Sequence, residues 1–275
     1  MKNLIIRALT GIIFVGVVAG ATYFHSFSFL AVFTLITGLT LWEFYRLTAS
    51  KESSLLKRSI PTVGGVYLFI ASFLYTNDLS TAVIFLPYLL LLMYMLIAEL
   101  YAKSPDPLRN WSVTFFGQAY CAGSFSLLNW IATGGYACGA PTYHPLFVLA
   151  LFVFIWLDDT GAYVVGSTLG KHKLFERISP KKSWEGFYGG LFFALASSLL
   201  FAWLVPAVHG WVWLGFAAVV VLFGTWGDLV ESLLKRTLGV KDSGHLLPGH
   251  GGMLDRFDSV MMAIPAVYIY LELFV

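Results

Sequence analysis

The sequence predicts an all-α, polytopic integral membrane protein with about nine transmembrane helices, and three observations support this fold class. The 275 residues are 58% hydrophobic and only 12% charged, whereas soluble domains carry roughly 25% charged residues. The mean hydropathy is +0.78, so a water-soluble fold of this size could not bury all of its apolar surface. Apolar runs of about 20 residues, the length that crosses a bilayer as a helix, recur along the chain.

The positions of the transmembrane helices follow from these apolar runs and from the polar breaks between them. Lys2 and Arg7 precede the first run, as in a signal peptide, but we expect this run to remain as a transmembrane helix. The nine predicted helices cover residues 4–23, 27–47, 60–77, 79–101, 111–132, 145–169, 184–206, 211–235 and 258–275.

The basic residues predict the orientation of these helices. All 17 Lys and Arg residues lie near the N-terminus or in or directly beside alternate breaks between helices, and the remaining breaks contain none. Because cytoplasmic loops collect Lys and Arg, we expect a cytoplasmic N-terminus and a C-terminus on the outer side. The net charge of only +2 gives no indication of nucleic-acid binding.

The two halves of the chain differ in polarity. Residues 1–140 contain apolar helices joined by short loops, whereas residues 141–275 contain two long polar loops and most of the acidic residues. We therefore expect residues 1–140 to form a scaffold and residues 141–275 to form the catalytic region. The spacings Gly16-x-x-x-Gly20 and Gly186-x-x-x-Gly190 are compatible with close helix contacts, so a homodimer is left open.

Two adjacent acidic residues, Asp158 and Asp159, lie inside the predicted sixth helix. Ionisable groups in a membrane are costly and mark functional sites. Neighbouring helical side chains point about 100° apart, so we expect one carboxylate to face a cavity while the other caps or pairs. The alternative is that the helix ends here, at Asp-Thr-Gly.

Glu43 and Glu99 lie near the cytoplasmic ends of the second and fourth predicted helices. Arg46 follows Glu43 by three residues, and Lys103 follows Glu99 by four. Because such spacings bring side chains together on a helix surface, we expect two local ion pairs.

Asp228, Glu231 and Lys235 form a polar stripe at the cytoplasmic end of the eighth predicted helix. Their spacing of three and then four residues puts all three on one helical face. Two acids and one base beside a glycine-rich loop indicate a binding site rather than an ordinary solvated face.

The segment 241–259 combines glycines with acidic and basic residues. Gly251 and Gly252 follow His250 and expose backbone N–H groups that can approach a phosphate closely. Asp255 and Asp258 are three residues apart and face the same way. Hard oxygen ligands without cysteine suit Mg²⁺ rather than zinc.

A second basic cluster precedes the seventh predicted helix. Lys181, Lys182 and Ser183 follow Ser-Pro and stand at the helix start, where backbone N–H groups favour anions. We predict a phosphate-binding corner here. Carboxylates for Mg²⁺, cations for phosphate and a glycine-rich loop are the groups that phosphoryl and nucleotidyl transfer require. The residues therefore predict a lipid-linked phosphoryl or nucleotidyl transferase, without separating CTP from ATP.

Four blocks of sequence resemble the phosphatidate cytidylyltransferase (CDP-diglyceride synthase) family. The longest is SLLKRTLGVKDSGHLLPGHGGMLDRFD at 232–258, where many polar positions agree. DDTGAY at 158–163, SPKKSWEG at 179–186 and GDLVES at 227–232 resemble further family blocks in the same order. The similarity covers most of the C-terminal half, whereas the N-terminal half is similar only as apolar helices.

The resemblance implies that CTP and phosphatidic acid react with Mg²⁺ to give CDP-diacylglycerol and diphosphate at the cytoplasmic face of a bacterial-type inner membrane. Several converging carboxylates leave room for a second cation such as K⁺. The implied catalytic residues are Asp228 and Asp255, which hold the metal, with Lys235 and Asp258. The implied substrate-binding residues are Lys181, Lys182, Ser183, Arg236, Lys241, Asp242, Gly249, His250, Gly251, Gly252, Arg256, Asp158 and Asp159.

Three other activities are alternatives. A CTP-dependent polyprenol kinase would use the same nucleotide and metal but would release CDP, and the 241–258 block argues against it. A CDP-alcohol phosphotransferase would need a D-x-x-D-G-x-x-A-R arrangement, which the sequence lacks. A cation-coupled transporter would place its charges at the membrane midplane, whereas these charges gather at one face.

Overall fold

The computed structural model describes residues 2–49, 56–136, 142–244, 246 and 251–275, with the side chains of 2–8 and 56 excluded. Helices dominate this part of the chain, as the sequence predicts. The helices are α1 (Lys2–Phe24), α2 (Ser26–Thr48), α3 (Leu56–Thr76), α4 (Leu86–Ala102), α5 (Pro107–Gly117), α6 (Ser124–Thr133), α7 (Pro145–Leu169), α8 (Trp184–Leu204), α9 (Gly210–Thr237) and α10 (Asp258–Phe274).

Two short 3₁₀ turns and one π-helical stretch adjoin these α-helices. A 3₁₀ turn at Ala82–Phe85 leads into α4, and another at Leu254–Arg256 precedes α10. A π-helical stretch, Gln118–Gly123, joins α5 to α6, so the predicted helix at 111–132 is helical throughout but changes its winding.

Six helices in the described part of the chain are long and apolar enough to cross a membrane. These six are Ser26–Thr48, Lys57–Thr76, Ala82–Ala102, Pro145–Leu169, Trp184–Leu204 and Gly210–Thr237. The chain is therefore a polytopic integral membrane protein. The count of nine transmembrane helices and the orientation of the termini stay predictions.

The all-α prediction misses one element, a small β-hairpin. Strand β1 (Lys173–Phe175) pairs antiparallel with β2 (Ser179–Ser183), and Lys173 lies opposite Ser183. The hairpin ends directly at α8, whose first helical residue is Trp184. A loop of polar residues was expected here, but the pairing satisfies backbone groups that a loop would leave to water.

The chain forms two compact units. One comprises Met1–Trp130 and Asp242–Arg256, and the other comprises Ile131–Lys241 and Phe257–Val275. The predicted division into a scaffold, 1–140, and a catalytic region, 141–275, is functional and stays a prediction.

Polar contacts between helices hold the first unit together. The Gln118 side-chain amide donates to the carbonyl of Pro61 in α3 at 2.7 Å and to the Tyr45 hydroxyl of α2 at 2.8 Å. Tyr45 in turn donates to the carbonyl of Thr114 in α5. Because water cannot satisfy polar groups in a bilayer, these bonds tie α2, α3 and the π-helical stretch together.

The two predicted local ion pairs of this unit have different partners in the structure. Glu99 pairs with Lys57 of α3 at 3.1 Å, since Lys103 takes a left-handed backbone conformation (φ 47°) at the end of α4 and leaves the helical spacing. Arg46 donates to the carbonyl of Ser243 at 3.2 Å, and Glu43 binds the same C-terminal segment, as described below.

Glycines bring α7 and α8 close together in the second unit. A Cβ atom at Gly161 would lie 2.9 Å from the carbonyl oxygen of Gly189, and one at Gly186 would lie 2.9 Å from that of Ala162. The Gly186-x-x-x-Gly190 spacing therefore serves a helix contact within the chain. The ring of Phe147 in α7 packs on the buried rings of Trp213 and Phe216 in α9.

Candidate active site

A cavity of about 500 Å³ lies within the second unit, at the ends of α7 and α8 that adjoin the hairpin. Its walls carry negative and positive groups, as the sequence predicts for a binding site. The carboxylates come from α7, and the ammonium groups come from the hairpin. The polar and charged residues that line it are Asp158, Asp159, Ser167, Lys173, Lys181, Lys182, Ser183, Thr225 and Ser259, with Tyr163 and Phe187 among the apolar ones.

The hairpin supplies three lysines to this cavity. Lys173 comes from β1, and Lys181 and Lys182 come from β2. The side chains of Lys173 and Lys181 are exposed, so both ammonium groups are accessible to an anion. The arrangement fits a ligand with several phosphates, because multiple cations are needed to neutralise it.

Ser183 anchors the hairpin to the helix that follows. Its buried hydroxyl accepts a hydrogen bond from the Gly186 N–H at 3.1 Å and caps the N-terminus of α8. Glu185 accepts further bonds from the N–H groups of Lys171 and His172, at 3.1 Å and 3.2 Å. Two side chains at the start of α8 therefore fix the base of the hairpin that carries the lysines.

Lys182 joins the hairpin to α9. Its ammonium nitrogen lies 2.5 Å from Oδ2 of Asp228. The other oxygen of Asp228 accepts a bond from the Ser232 hydroxyl at 3.2 Å. The predicted phosphate-binding lysine and the predicted metal-binding carboxylate are thus direct partners within one unit.

Asp158 and Asp159 differ in environment. Asp158 is only 9% exposed, and its Oδ1 has no hydrogen-bond partner among the described residues. It lies against Gly190 of α8, where a Cβ atom would overlap that oxygen. Asp159 is exposed and lines the cavity. Both carboxylates line the cavity, so the expectation that one faces it while the other caps or pairs stays a prediction. The alternative that the helix ends at Asp-Thr-Gly is wrong, because α7 continues through both residues.

Asp258, at the start of α10, is surrounded by negative charge. The carboxylates of Asp228, Glu231 and Asp159 are close enough to act on it electrostatically, and its Oδ1 accepts a bond from the Ser259 N–H at 2.6 Å. Carboxylate oxygens are the kind of hard donor that a divalent cation binds.

The described residues contain no group of three His, Cys, Asp or Glu side chains placed to hold one metal ion. Such a group is not required for Mg²⁺, which keeps several waters and is usually bound by one or two carboxylates together with substrate phosphates. The acidic residues of this unit are therefore compatible with a divalent cation held by one or two carboxylates.

Glu231 and Lys235 form a buried pair on α9. Their charged atoms are 2.5 Å apart, Glu231 is fully buried, and the Lys235 side chain is 12% exposed. Arg236 lies exposed in the last turn of the same helix. Lys235 is thus held by its neighbour four residues earlier, whereas the prediction that the stripe forms a binding site stays a prediction.

Asp255 lies in the first unit and holds the ends of the glycine-rich segment. Its carboxylate accepts hydrogen bonds from the N–H groups of Ser243, at 2.9 Å, and Gly252, at 2.8 Å. Gly251 has a positive φ of 81°, and a Cβ atom there would lie 2.6 Å from Asp255 Oδ2. The Gly252 N–H, predicted to bind phosphate, is therefore used inside the segment.

Of the remaining predicted binding residues, Lys241, Asp242 and Arg256 are exposed, and Gly249 and His250 lie outside the described residues.

Three residues that the structure places at these sites were not predicted there from the sequence. Lys173 and Ser259 line the cavity, and Glu43 binds the segment that contains Asp255. Strands of three and five residues give no usable alternation, so nothing predicted Lys173 at the cavity. The sequence did contain an indication for Glu43, because a carboxylate in an apolar helix is unusual. The helical spacing to Arg46 offered a local ion pair as a sufficient explanation, so no distant partner was predicted.

The chain is similar to known cytidylyltransferases. The sequence profile described as the cytidylyltransferase family matches residues 5–274. A phosphatidate cytidylyltransferase of Staphylococcus aureus (strain COL) is 52% identical over 126 residues, which cover 46% of this chain and 48% of that protein. One of Staphylococcus haemolyticus is 43% identical over 159 residues, 58% of this chain and 60% of that protein. The chain thus matches about half the length of these relatives.

Proposed function

The chain belongs to the cytidylyltransferase family, and on that premise we propose that it transfers the CMP group of CTP to phosphatidate, giving CDP-diacylglycerol and diphosphate. The names of the Staphylococcus relatives support this reaction. The structural observation that carries the proposal is the contact of Lys182 with Asp228, at 2.5 Å, beside a cavity lined by two further lysines and two aspartates.

The reaction requires little acid–base chemistry from the protein. The second pKa of a phosphate monoester is about 6, so the phosphate of phosphatidate is largely a dianion at neutral pH. One of its oxygens attacks the α-phosphorus of CTP, the bond from that phosphorus to the oxygen bridging to the β-phosphate breaks, and diphosphate leaves with the electron pair. Positioning and charge neutralisation are then the main tasks of the enzyme.

The lysines of the cavity perform these tasks. Lys173, Lys181 and Lys182 supply positive charge to the phosphates of CTP and to the lipid phosphate as they approach one another. Lys235, fixed by Glu231, contributes a further cation, with Arg236 and Arg256 at the exposed ends of their helices. Because ion pairs hold Lys182 and Lys235 before substrate arrives, these two groups need little reorganisation at the moment of reaction.

The carboxylates bind the metal. We propose Asp228 and Asp255 as its ligands, with Asp258 supporting the site and Asp158 and Asp159 lining the cavity behind it. When bound, Mg²⁺ neutralises the oxygens of CTP and of the leaving diphosphate. We also propose that the site takes a second cation such as K⁺ and that the protein forms a homodimer. The active site would lie at the cytoplasmic face of a bacterial plasma membrane.

An assay in detergent tests this function. The purified protein is incubated with CTP, Mg²⁺ and phosphatidate, and both diphosphate and CDP-diacylglycerol are followed. We expect product that depends on phosphatidate and disappears with EDTA. Release of CDP when a polyprenol replaces phosphatidate would instead indicate a lipid kinase. No reaction with any lipid would contradict the proposal and favour a transporter.

A further inference from the structure

A buried carboxylate on α2 binds both ends of the chain segment that encloses residues 245–250. Glu43 is 5% exposed, and an ionised carboxylate at such a position costs several kcal/mol unless it is compensated. Its compensation comes from residues about 200 positions later in the sequence but in the same compact unit.

Two hydrogen bonds make this connection. Glu43 Oε2 accepts from the Leu254 N–H at 2.9 Å and from the Ser243 hydroxyl at 3.2 Å. Arg46, one turn later on α2, donates to the carbonyl of Ser243 at 3.2 Å. The same face of α2 therefore binds Ser243, which precedes the enclosed segment, and Leu254, which follows it.

Glycines allow the segment to approach Glu43 closely. A Cβ atom at Gly244 would lie 2.6 Å from Glu43 Oε1, and a Cβ atom at Gly252 would overlap both Glu43 Oε2 and the Ser243 hydroxyl. These two glycines are thus explained by contact with Glu43, whatever their relation to a phosphate.

Ser243 links Glu43 to Asp255. Its hydroxyl donates to Glu43, and its N–H donates to both oxygens of Asp255, at 2.9 Å and 3.1 Å. Leu254, whose N–H is bound by Glu43, is the neighbour of Asp255 in the chain. Glu43 therefore fixes the position of Asp255 from two sides.

We propose that Glu43 is a positioning residue for Asp255, which it holds in the geometry needed to bind Mg²⁺ with CTP. This inference rests on the proposed function, in which Asp255 is a metal ligand. Groups that orient metal ligands commonly change metal affinity or activity by about 10- to 100-fold when they are removed.

The test compares Glu43→Gln, Glu43→Ala and Ser243→Ala in the full-length protein. Glu99→Gln is the matched control, because it removes the same charge from the same unit, where Glu99 binds Lys57 and Asn110. Hydrogen exchange of residues 251–256 is measured alone and during titration with Mg²⁺ at fixed CTP, and turnover is measured over the same Mg²⁺ range.

We expect faster hydrogen exchange of residues 251–256 in Glu43→Ala. The Mg²⁺ concentration that gives half-maximal protection of this segment from exchange should rise by about 10-fold or more, and so should the Mg²⁺ concentration that gives half-maximal turnover. Glu43→Gln keeps one acceptor oxygen, so we expect a smaller effect in this variant. It replaces Glu43→Ala in the test if the alanine variant does not fold. Glu99→Gln should match the wild type.

Faster exchange with an unchanged Mg²⁺ dependence would show that Glu43 only stabilises the local structure, and this result would overturn the proposal. Unchanged exchange in the Glu43 variants would overturn it as well. A wild-type protein that makes no CDP-diacylglycerol would instead refute the proposed function. The exchange and Mg²⁺-protection measurements would still decide whether Glu43 holds Asp255.

Discussion

Lys182 of the β-hairpin and Asp228 of α9 are in direct contact, with 2.5 Å between the ammonium nitrogen and Oδ2. Both side chains are 28% exposed, so the pair is accessible to ligands rather than sealed in the core. A partly exposed ion pair contributes little to stability. Lys182 also lines the cavity, so we predict that the pair serves binding.

The first prediction concerns this pair. Asp228→Asn should lower kcat/KM by about 100-fold, because the amide neither carries the charge that attracts a metal nor pairs with Lys182. Lys182→Met should also lower it. The two effects should be strongly non-additive in the double variant, since groups that act as a unit do not add. Additive losses in a double-mutant cycle of kcat/KM would show that the residues act separately.

The second prediction concerns the buried pair of Glu231 and Lys235. Glu231→Gln should destabilise the protein by about 3–5 kcal/mol, because it leaves the ammonium group of Lys235 buried without its partner. The double change Glu231→Gln with Lys235→Met should restore much of the stability but not the activity. The thermal midpoint in detergent and kcat separate the two effects. Full activity in the double variant would remove Lys235 from the mechanism.

How far the sequence predicted this fold can be judged from particular segments. The run 145–169 was predicted to the residue and is α7, because an apolar stretch as long as the bilayer is thick has few alternatives to a helix. The helix α9 extends to Thr237, two residues beyond the prediction, since polar residues at a helix end carry no hydropathy signal. The hairpin was missed because β1 has only three residues.

The residues of the candidate site were predicted only in part, and whether a residue could be predicted depended on whether its contacts are local in the sequence. The stripe of Asp228, Glu231 and Lys235 could be read from helical spacing, which is a local property. The partners Lys182 and Ser243 could not, because contacts between distant segments depend on how the chain packs. Glu43 illustrates the same limit, since its hydrogen bonds reach residues about 200 positions away.

The third prediction concerns the contact of α7 with α8. Gly190→Ala would place a Cβ atom on Asp158 Oδ1, so Asp158 or α8 must move. Overpacking of this kind typically costs about 1–3 kcal/mol. We expect a lower thermal midpoint and reduced turnover. Gly224→Ala in α9 is the control, because its Cβ atom would lie at an ordinary 3.6 Å from the nearest atom, Ser259 Cβ. Equal effects of the two substitutions would contradict the account of Gly190.

The last prediction concerns Lys173, which the structure adds to the site. Lys173→Ala should raise the KM for CTP by about 10- to 100-fold, since a hydrogen bond to a charged group contributes about 1.5–3 kcal/mol. Arg177→Ala is the matched control. It removes a positive charge from the turn of the same hairpin, and Arg177 is exposed but is not among the residues lining the cavity. If bulk positive charge on the hairpin attracts the nucleotide, both variants should weaken binding alike and both losses should shrink at high salt. If Lys173 contacts a phosphate directly, only its own variant should raise the KM, and the difference should persist as salt is added.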